Sequence, residues 1–407
     1  MLARLAWRNL WRNRRRTIIT ITAVVFATWL SLVMRGMQLS TYEQNIAFSL
    51  NLLSGHAQLQ HPGFADNPTL HNTIYLTPEI EARLDGESRI NAWAPRVLGD
   101  GLLSYRENSQ GAMLLGVDPR REPRVSRILR KPAEGRMLSS GTAAEILLGQ
   151  TLMENLHARV GEDIVVLAQG YDGSLGNRKF RIVGTVRTGM PDVDRAAVFM
   201  GVDALRELLS MRGRSSVVVL SMHDLSDVDA VCATLNTGLD TSAVMARGWQ
   251  QVMPELQQSI DLDNYSGMLF LGILIIVVAF GILNTVLMSV SERFREFGIL
   301  LALGMKQQLL VYLVAMETLF ITLIGIAIGN VLGFAVNSWF AAHPIVFTGE
   351  YAKMMTEYGW LPQMGSVVRL SSFFNTSFAV LLLSLLATMY PLYRVSRLEA
   401  LKGIRYT

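Results

Sequence analysis

The segment Ser266–Ser291, SGMLFLGILIIVVAFGILNTVLMSVS, carries no charged residue. About 20 apolar residues in a helix cross the hydrocarbon core of a bilayer. A chain containing this segment is therefore constrained first of all to a membrane. Three other stretches share the property. Thr17–Met34 is uncharged, Gln307–Phe340 is interrupted only by Glu317, and Ser371–Tyr393 is again uncharged. A cleaved signal peptide competes for the first stretch. Its apolar region would be about 7–15 residues and would end in a small-x-small site. This run is longer and ends Met34-Arg35-Gly36-Met37, which favours an anchor.

Across the chain only 17% of residues are charged, against about 25% in soluble domains. The shortage lies in the four runs, and the middle has ordinary mixed charge. A cytosolic enzyme, a disordered chain and a fibrous repeat are excluded. The net charge of +4 makes no case for nucleic acid, because basic residues gather at cytoplasmic membrane borders anyway. Cys232 is alone, so an internal disulfide is impossible.

Orientation follows from the basic flanks. Arg4, Arg8, Arg12, Arg14, Arg15 and Arg16 precede the first run with no acid among them, and basic residues recur in 292–306 and in the tail. Four spans put these three segments on one side, the cytoplasm. The expected fold class is membrane α-helical, with four transmembrane helices and a large α+β extracytoplasmic domain inserted between helices 1 and 2. The expected order is a basic N-terminus at 1–16, a first span at 17–37 and the outer domain with stalk helices at 38–265. A second span at 266–291, a cytoplasmic segment at 292–306 and a third span at 307–340 follow. An outer loop at 341–370, a fourth span at 371–393 and a cytoplasmic tail at 394–407 complete it.

In the outer domain, Ser54–Gln60 reads as a strand, Pro78–Leu84 as a helix opening on proline, and Gly111–Val117 and Ile164–Ala168 as buried strands. Lys179–Val186 alternates, Val217–Ser221 is strand-like, and Asp203–Leu209 and Asp227–Leu235 read as helices, with Asp227 at the N-cap or in the first turn. Segments 54–106 and 216–247 look like two βαβ-type halves flanking a β-rich insert. Pro254 is expected to kink the helix leading into the second span. Chemistry is scarce. His56, His61 and His71 with Asp66 fit no metal template, Asp192 and Asp194 flank a turn, and no metal site is expected. No G-x-x-x-x-G-K-[ST] loop is present.

The segment after the second span reads SERFREFGILLALGMKQQ. Phe294, Phe297 and Leu301 recur at helical spacing among Glu292, Arg293, Arg295 and Glu296, and Gly304 is a suitable stop. Such a helix either lies on lipid headgroups or plugs a groove on a cytosolic partner. Gly325, Gly329 and Gly333 repeat every four residues, as do Ala23, Ala27 and Ser31. Small residues at this spacing admit close helix approach, within one subunit for the glycines. Glu317 is an intramembrane acid and needs a partner, most simply a structural contact near 292–306.

Glu292, Arg293, Arg295, Glu296, Gly298, Ile299, Leu300, Ala302, Leu303, Gly304 and Glu317 resemble the coupling-helix signature of one permease family. It includes the macrolide exporter MacB, the lipoprotein-releasing pair LolC and LolE, and FtsX. Phe297 and Leu301 depart from its usual aliphatic and arginine positions. Arg8-Asn9-Leu10, the tail from Tyr390-Pro391 to Ala400-Leu401, and Gly149-Gln150 with Val160-Gly161-Glu162 resemble the same family. The resemblance implies a bacterial inner-membrane, multi-pass permease with both termini cytoplasmic. It implies no catalysis by this chain and no cofactor bound by it, with ATP and Mg on a separate cytoplasmic ABC ATPase dimer. A second permease subunit, identical or sister, and a periplasmic carrier or adaptor protein are the implied partners. Glu292–Glu296, Phe297, Gly298, Leu301 and Gly304 would meet the ATPase, and Ala23, Ala27 and Ser31 would meet the second permease. Lipoprotein or lipid-linked cargo is the expected use. Export of small amphiphiles, peptides or antibiotics, or control of a periplasmic hydrolase, is the alternative within the family. A membrane-anchored receptor domain is the alternative from another class.

The basic-flank asymmetry is testable by labelling in intact cells. Cysteines placed at Gly141 and Asn236 should react from outside, and those at Lys306 and Lys402 only after lysis. A reactive Lys306 position in intact cells would overturn the topology.

Overall fold

The computed structural model describes residues 2–50, 54–357 and 361–397; the tail positions Ala400, Leu401 and Lys402 lie outside them. Among the described residues, four helices are long and apolar enough to cross a membrane: Arg14–Ser49, Pro254–Glu292, Gln307–Ala342 and Leu370–Ser396. The first two overrun the uncharged stretches, so the expected stalk helices are continuations of the membrane helices over 38–49 and 254–265. Pro254 does not kink its helix. Trp249–Val252 is a separate turn, Met253 leaves helical geometry, and Pro254 opens the long helix, the position where its missing N–H costs least.

The chain divides into two compact units. In the membrane unit, the first and third long helices cross on small residues. A Cβ on Gly325 would stand 2.6 Å from Val24, one on Gly329 2.6 Å from Thr28, and one on Gly333 2.8 Å from Leu32. No real side chain fits at such distances. The crossing continues outward at Asn337, which is buried, donates to the Leu32 carbonyl at 3.0 Å and accepts from Ser366 Oγ at 2.9 Å. The glycine stripe thus meets the first long helix of its own chain. The first-helix stripe does not behave as expected. Ala27 and Ser31 are buried, and Ala27 borders a small void with Ile275, Ile282 and Val380. Ala23 is half-buried. The faces of Ala27 and Ser31 are covered by the chain itself and are not open to a second permease. Spacing identified a close-packing stripe without revealing which helix would fill it.

The second unit, the one expected to lie outside, contains one ten-stranded sheet. Its first part is ordered Met245–Gly248, Ala57–Gln60, Val217–Met222, Ile90–Tyr105, all neighbours antiparallel. Helix Pro78–Gly86 links the second strand of this order to the fourth, and Val228–Thr237 links the third to the first. This is the interleaved double split-βαβ arrangement. The two halves expected at 54–106 and 216–247 therefore share a sheet rather than stand side by side. Thr77 caps the first helix, its Oγ accepting from Ile80 N, with Pro78 following. Asp227 occupies the N-cap of the second without a side-chain bond, and Asp224 caps the preceding turn by accepting from Ser226 N.

Strand Ile90–Tyr105 runs on into the insert. It pairs there with Asn108–Val117 and Asp163–Gln169. The ring continues through Ala197–Gly201, Glu145–Gly149 and Leu175–Val186 back to Asp163–Gln169. The β-rich insert is therefore a closed six-stranded barrel, and closure removes exposed edges from the ring. Alternation fills it: Leu103, Leu114, Ile146, Leu148, Val166, Phe180, Ile182 and Val198 point into one core, while Leu115, Leu147, Val183 and Phe199 build a second core on the other face. Where the shared strand passes from split-βαβ to barrel, Arg96 donates through Nε to buried Glu122 at 3.1 Å.

Overpacking a filled contact costs about 1–3 kcal/mol. Gly329→Val should therefore lower the thermal midpoint of the purified permease, whereas Gly272→Val, at a position with open space around it, should not. Equal midpoints would remove the glycine crossing as a stabilising contact.

Candidate functional site

Between the second and third long helices the chain turns at Arg293 and forms a short helix, Phe294–Ala302. It ends at Gly304, whose φ of +92° lies in the left-handed region that glycine enters without steric cost. Gly304 N donates to Leu301 O and Met305 N to Leu300 O, completing the stop.

The helix carries two apolar stripes. Phe297 is fully buried among Val286, Val290, Leu310, Val314 and Val395, with Phe294 and Leu301 packed at the margin. Gly298 is buried too. The outward stripe contains Arg295, Ile299, Ala302 and Leu303, with Ile299 46% and Leu303 80% exposed. The expectation that Phe294, Phe297 and Leu301 face a partner is thus corrected for Phe297 and Gly298, which anchor the helix to its own bundle. Helical periodicity marks a stripe on either face, and the more hydrophobic stripe went to the core. Ile299 and Leu303, spaced i and i+4, were the second stripe.

The charges divide in the same way. Glu317 accepts from Arg293 Nη1 at 2.9 and 3.1 Å and from Asn9 Nδ2 at 2.9 Å. Arg293 also donates through Nε to Glu296 at 3.3 Å and lies over the Phe297 ring at 5.0 Å. Arg12 pairs with Glu296 from the other side, and this bond holds the Glu296 carboxyl below its ordinary range. Arg16 donates to Glu292 at 2.7 Å and to Ser289 at 2.8 Å. Glu317 therefore ties the hinge of the short helix to the third long helix. Glu292, Arg293 and Glu296 are engaged inside the chain. Asn9, Arg12, Arg16, Glu292, Arg293 and Glu317, with Thr285 and Thr318, border a cavity of about 220 Å³.

Sequence reasoning took 1–16 as a topology signal and missed its contacts. Leu2–Leu10 is a helix with Ala6 and Leu10 buried. Trp7 meets Phe320 edge-on at 5.9 Å, and Thr17 Oγ1 donates to Leu10 O at 2.7 Å. Arginines alternating with Ala6 and Leu10 at helical spacing were the available signal.

The outer-domain candidates are structural. His56 Nδ1 accepts from Met222 N at 2.7 Å, His61 Nδ1 accepts from Gly63 N at 3.2 Å, and His71 packs on Tyr171. They do not converge. Asp194 accepts from Thr188 N at 2.7 Å and Thr188 Oγ1 at 2.8 Å, and Asp192 is exposed, so they form no dyad. Among the described residues no group of His, Cys, Asp or Glu could hold a metal.

Two family models match. The MacB-like periplasmic core domain covers residues 17–247, and the FtsX-like permease C-terminal model covers 268–400. The chain belongs to the family of MacB- and FtsX-like ABC transporter permeases. It is 25% identical to the lipoprotein-releasing system transmembrane protein LolC of Neisseria meningitidis, over 96% of this chain and 94% of that one. It is 22% identical to the macrolide export ATP-binding/permease protein MacB of Nitrosomonas europaea, over 91% of this chain and 59% of that one. The periplasmic region of MacB from Actinobacillus actinomycetemcomitans superposes with a TM-score of 0.37 at 14% identity, covering 51% of this chain and 94% of that one.

Burial lowers the His56 pKa from its ordinary value of 6.5. A depressed folded-state pKa means that the unfolded chain binds the proton first, so stability is full above about 6.5 and is lost as pH falls toward the folded value. Protection of the 217–222 amides in the intact permease, corrected for the slower intrinsic exchange at low pH, should fall as pH drops below about 6.5. His56→Gln should flatten that dependence; an unchanged pH profile in this variant would refute the assignment.

Proposed function

We propose that this permease transmits the motion of a separate cytoplasmic ABC ATPase to its outer domain, and that the working cargo is a lipoprotein or another lipid-linked molecule. The observation that carries the first part is the outward stripe Arg295, Ile299, Ala302, Leu303. A short helix whose second apolar face is open, with an adjacent cation, suits a protein groove. The phosphates are hydrolysed elsewhere, since the chain holds no phosphate-binding loop of its own. Near end-to-end alignment with LolC supports the second part. Export of small amphiphiles, peptides or antibiotics is the other reading of the same machine, supported by the MacB-like core model and the MacB relative. The site in the inner membrane, with both termini in the cytoplasm and a second permease subunit alongside, follows the same reading.

A partner groove would desolvate Leu303 and Ile299, and tenfold in affinity corresponds to about 1.4 kcal/mol. Leu303→Asp and Ile299→Asp should each weaken binding of the purified ATPase in nanodiscs by about tenfold or more, with the permease still folded. A helix lying on anionic lipid would leave ATPase binding unchanged in both. Release of a fluorescent lipoprotein from proteoliposomes, compared with efflux of a macrolide, separates the two cargo readings.

A further inference from the structure

We propose that the N-terminal segment is the positioning element of the coupling helix, with Asn9, Arg12 and Arg16 setting the orientation in which Ile299 and Leu303 face the ATPase. The inference rests on the docking reading above and adds a role for residues that no comparison assigns. Three observations carry it. The segment has an anchor of its own, because Ala6 and Leu10 are buried and Trp7 rests on Phe320 of the third long helix. From that anchor it reaches the short helix and its hinge at three places: Asn9 to Glu317 beside Arg293, Arg12 to Glu296, and Arg16 to Glu292 and Ser289. The links are continuous, since Arg293 holds Glu296 and Glu317 at once.

The geometry separates holding from docking. Glu292 and Glu296 bind Arg16 and Arg12 of the N-terminal segment, and Arg293 binds Glu296 and Glu317, while Arg295, Ile299 and Leu303 are exposed. The Arg12–Glu296 pair is largely exposed, and exposed pairs add little to stability. The links nevertheless fix a direction: Arg12 and Arg293 both hold Glu296 of the short helix, so a rotation of that helix about its axis would break both bonds, while Arg16–Glu292 and Asn9–Glu317 hold the second and third long helices beside it. Arg12 and Arg16 are positioning residues in this scheme, and they touch neither nucleotide nor cargo.

The test uses the full permease in nanodiscs with its purified ATPase, in a Cys232→Ala background. Spin labels at Leu303 and Leu323, read on labelled permease without the ATPase, report the orientation of the short helix within the bundle, and ATP hydrolysis is measured on unlabelled permease carrying native Leu303. Arg12→Gln and Arg16→Glu should each broaden the distance distribution and reduce permease-stimulated ATP hydrolysis at least fivefold, with the thermal midpoint unchanged. Arg16→Glu combined with Glu292→Arg should restore a narrow distribution and hydrolysis to within twofold. Narrow distributions with full stimulation in the single variants would overturn the proposal, as would a swap that restores neither quantity. Leu303→Asp is run in parallel. If it abolishes ATPase binding while the arginine variants behave as wild type, only the positioning role fails. If it leaves binding intact, the docking reading fails, and the label distances alone then decide the positioning role.

Discussion

A carboxylate inside an apolar helix must be neutralised by a partner, and Glu317 meets that requirement with Arg293. The rest of this end of the bundle follows from the pairing. Arg293 stands at the break between the second long helix and the short one, so satisfying Glu317 fixes where the chain turns. With Arg293 in place, Phe297 is carried beneath it into the core, and the opposite stripe is forced outward. Removing one partner of a largely desolvated pair typically costs about 3–5 kcal/mol, because the other charge is left uncompensated. The pair is thus a constraint on register more than a source of net stability.

The outer unit solves a different problem. Its first and last segments must meet after an insertion of barrel strands, and loop closure becomes only slowly more expensive with length. The interleaved split-βαβ sheet accepts this cost by pairing Ala57–Gln60 with both Val217–Met222 and Met245–Gly248. Strand Ile90–Tyr105 serves both lobes, and the buried Arg96–Glu122 pair sits at the transition.

Much of this was legible in the sequence. Uncharged runs identified the four long helices, because a soluble chain rarely keeps so many consecutive residues free of charge. The strands at Ala57–Gln60, Asn108–Val117, Asp163–Gln169, Leu175–Val186 and Val217–Met222, the Pro78 start and the Gly304 stop were visible because proline, glycine and period-two alternation act locally, whereas Ile90–Tyr105, Glu145–Gly149, Ala197–Gly201 and Met245–Gly248 were not read as strands. What stayed hidden depends on neighbours. Spacing could not tell whether Ala27 met another subunit or the chain's own helices, nor which apolar stripe of 294–303 would be covered. Barrel closure was invisible because Asp163–Gln169 pairs with a strand about sixty residues earlier. The partners of Arg12 and Arg16 lie nearly three hundred residues away, and topology alone already accounts for a cluster of arginines before a span.

The pairing of Ala57–Gln60 with Met245–Gly248 has a mechanical corollary. The strands are antiparallel, with Ala57 opposite Gly248, so the chain enters and leaves the sheet at the same end of adjacent strands. Forces pulling those two ends apart would load the hydrogen bonds one after another, as a zipper opens, and the sheet would yield readily. Forces moving both ends together load none of them. The strand pair is therefore compliant toward separation of its two ends and left undeformed by their concerted displacement, an asymmetry written into its register.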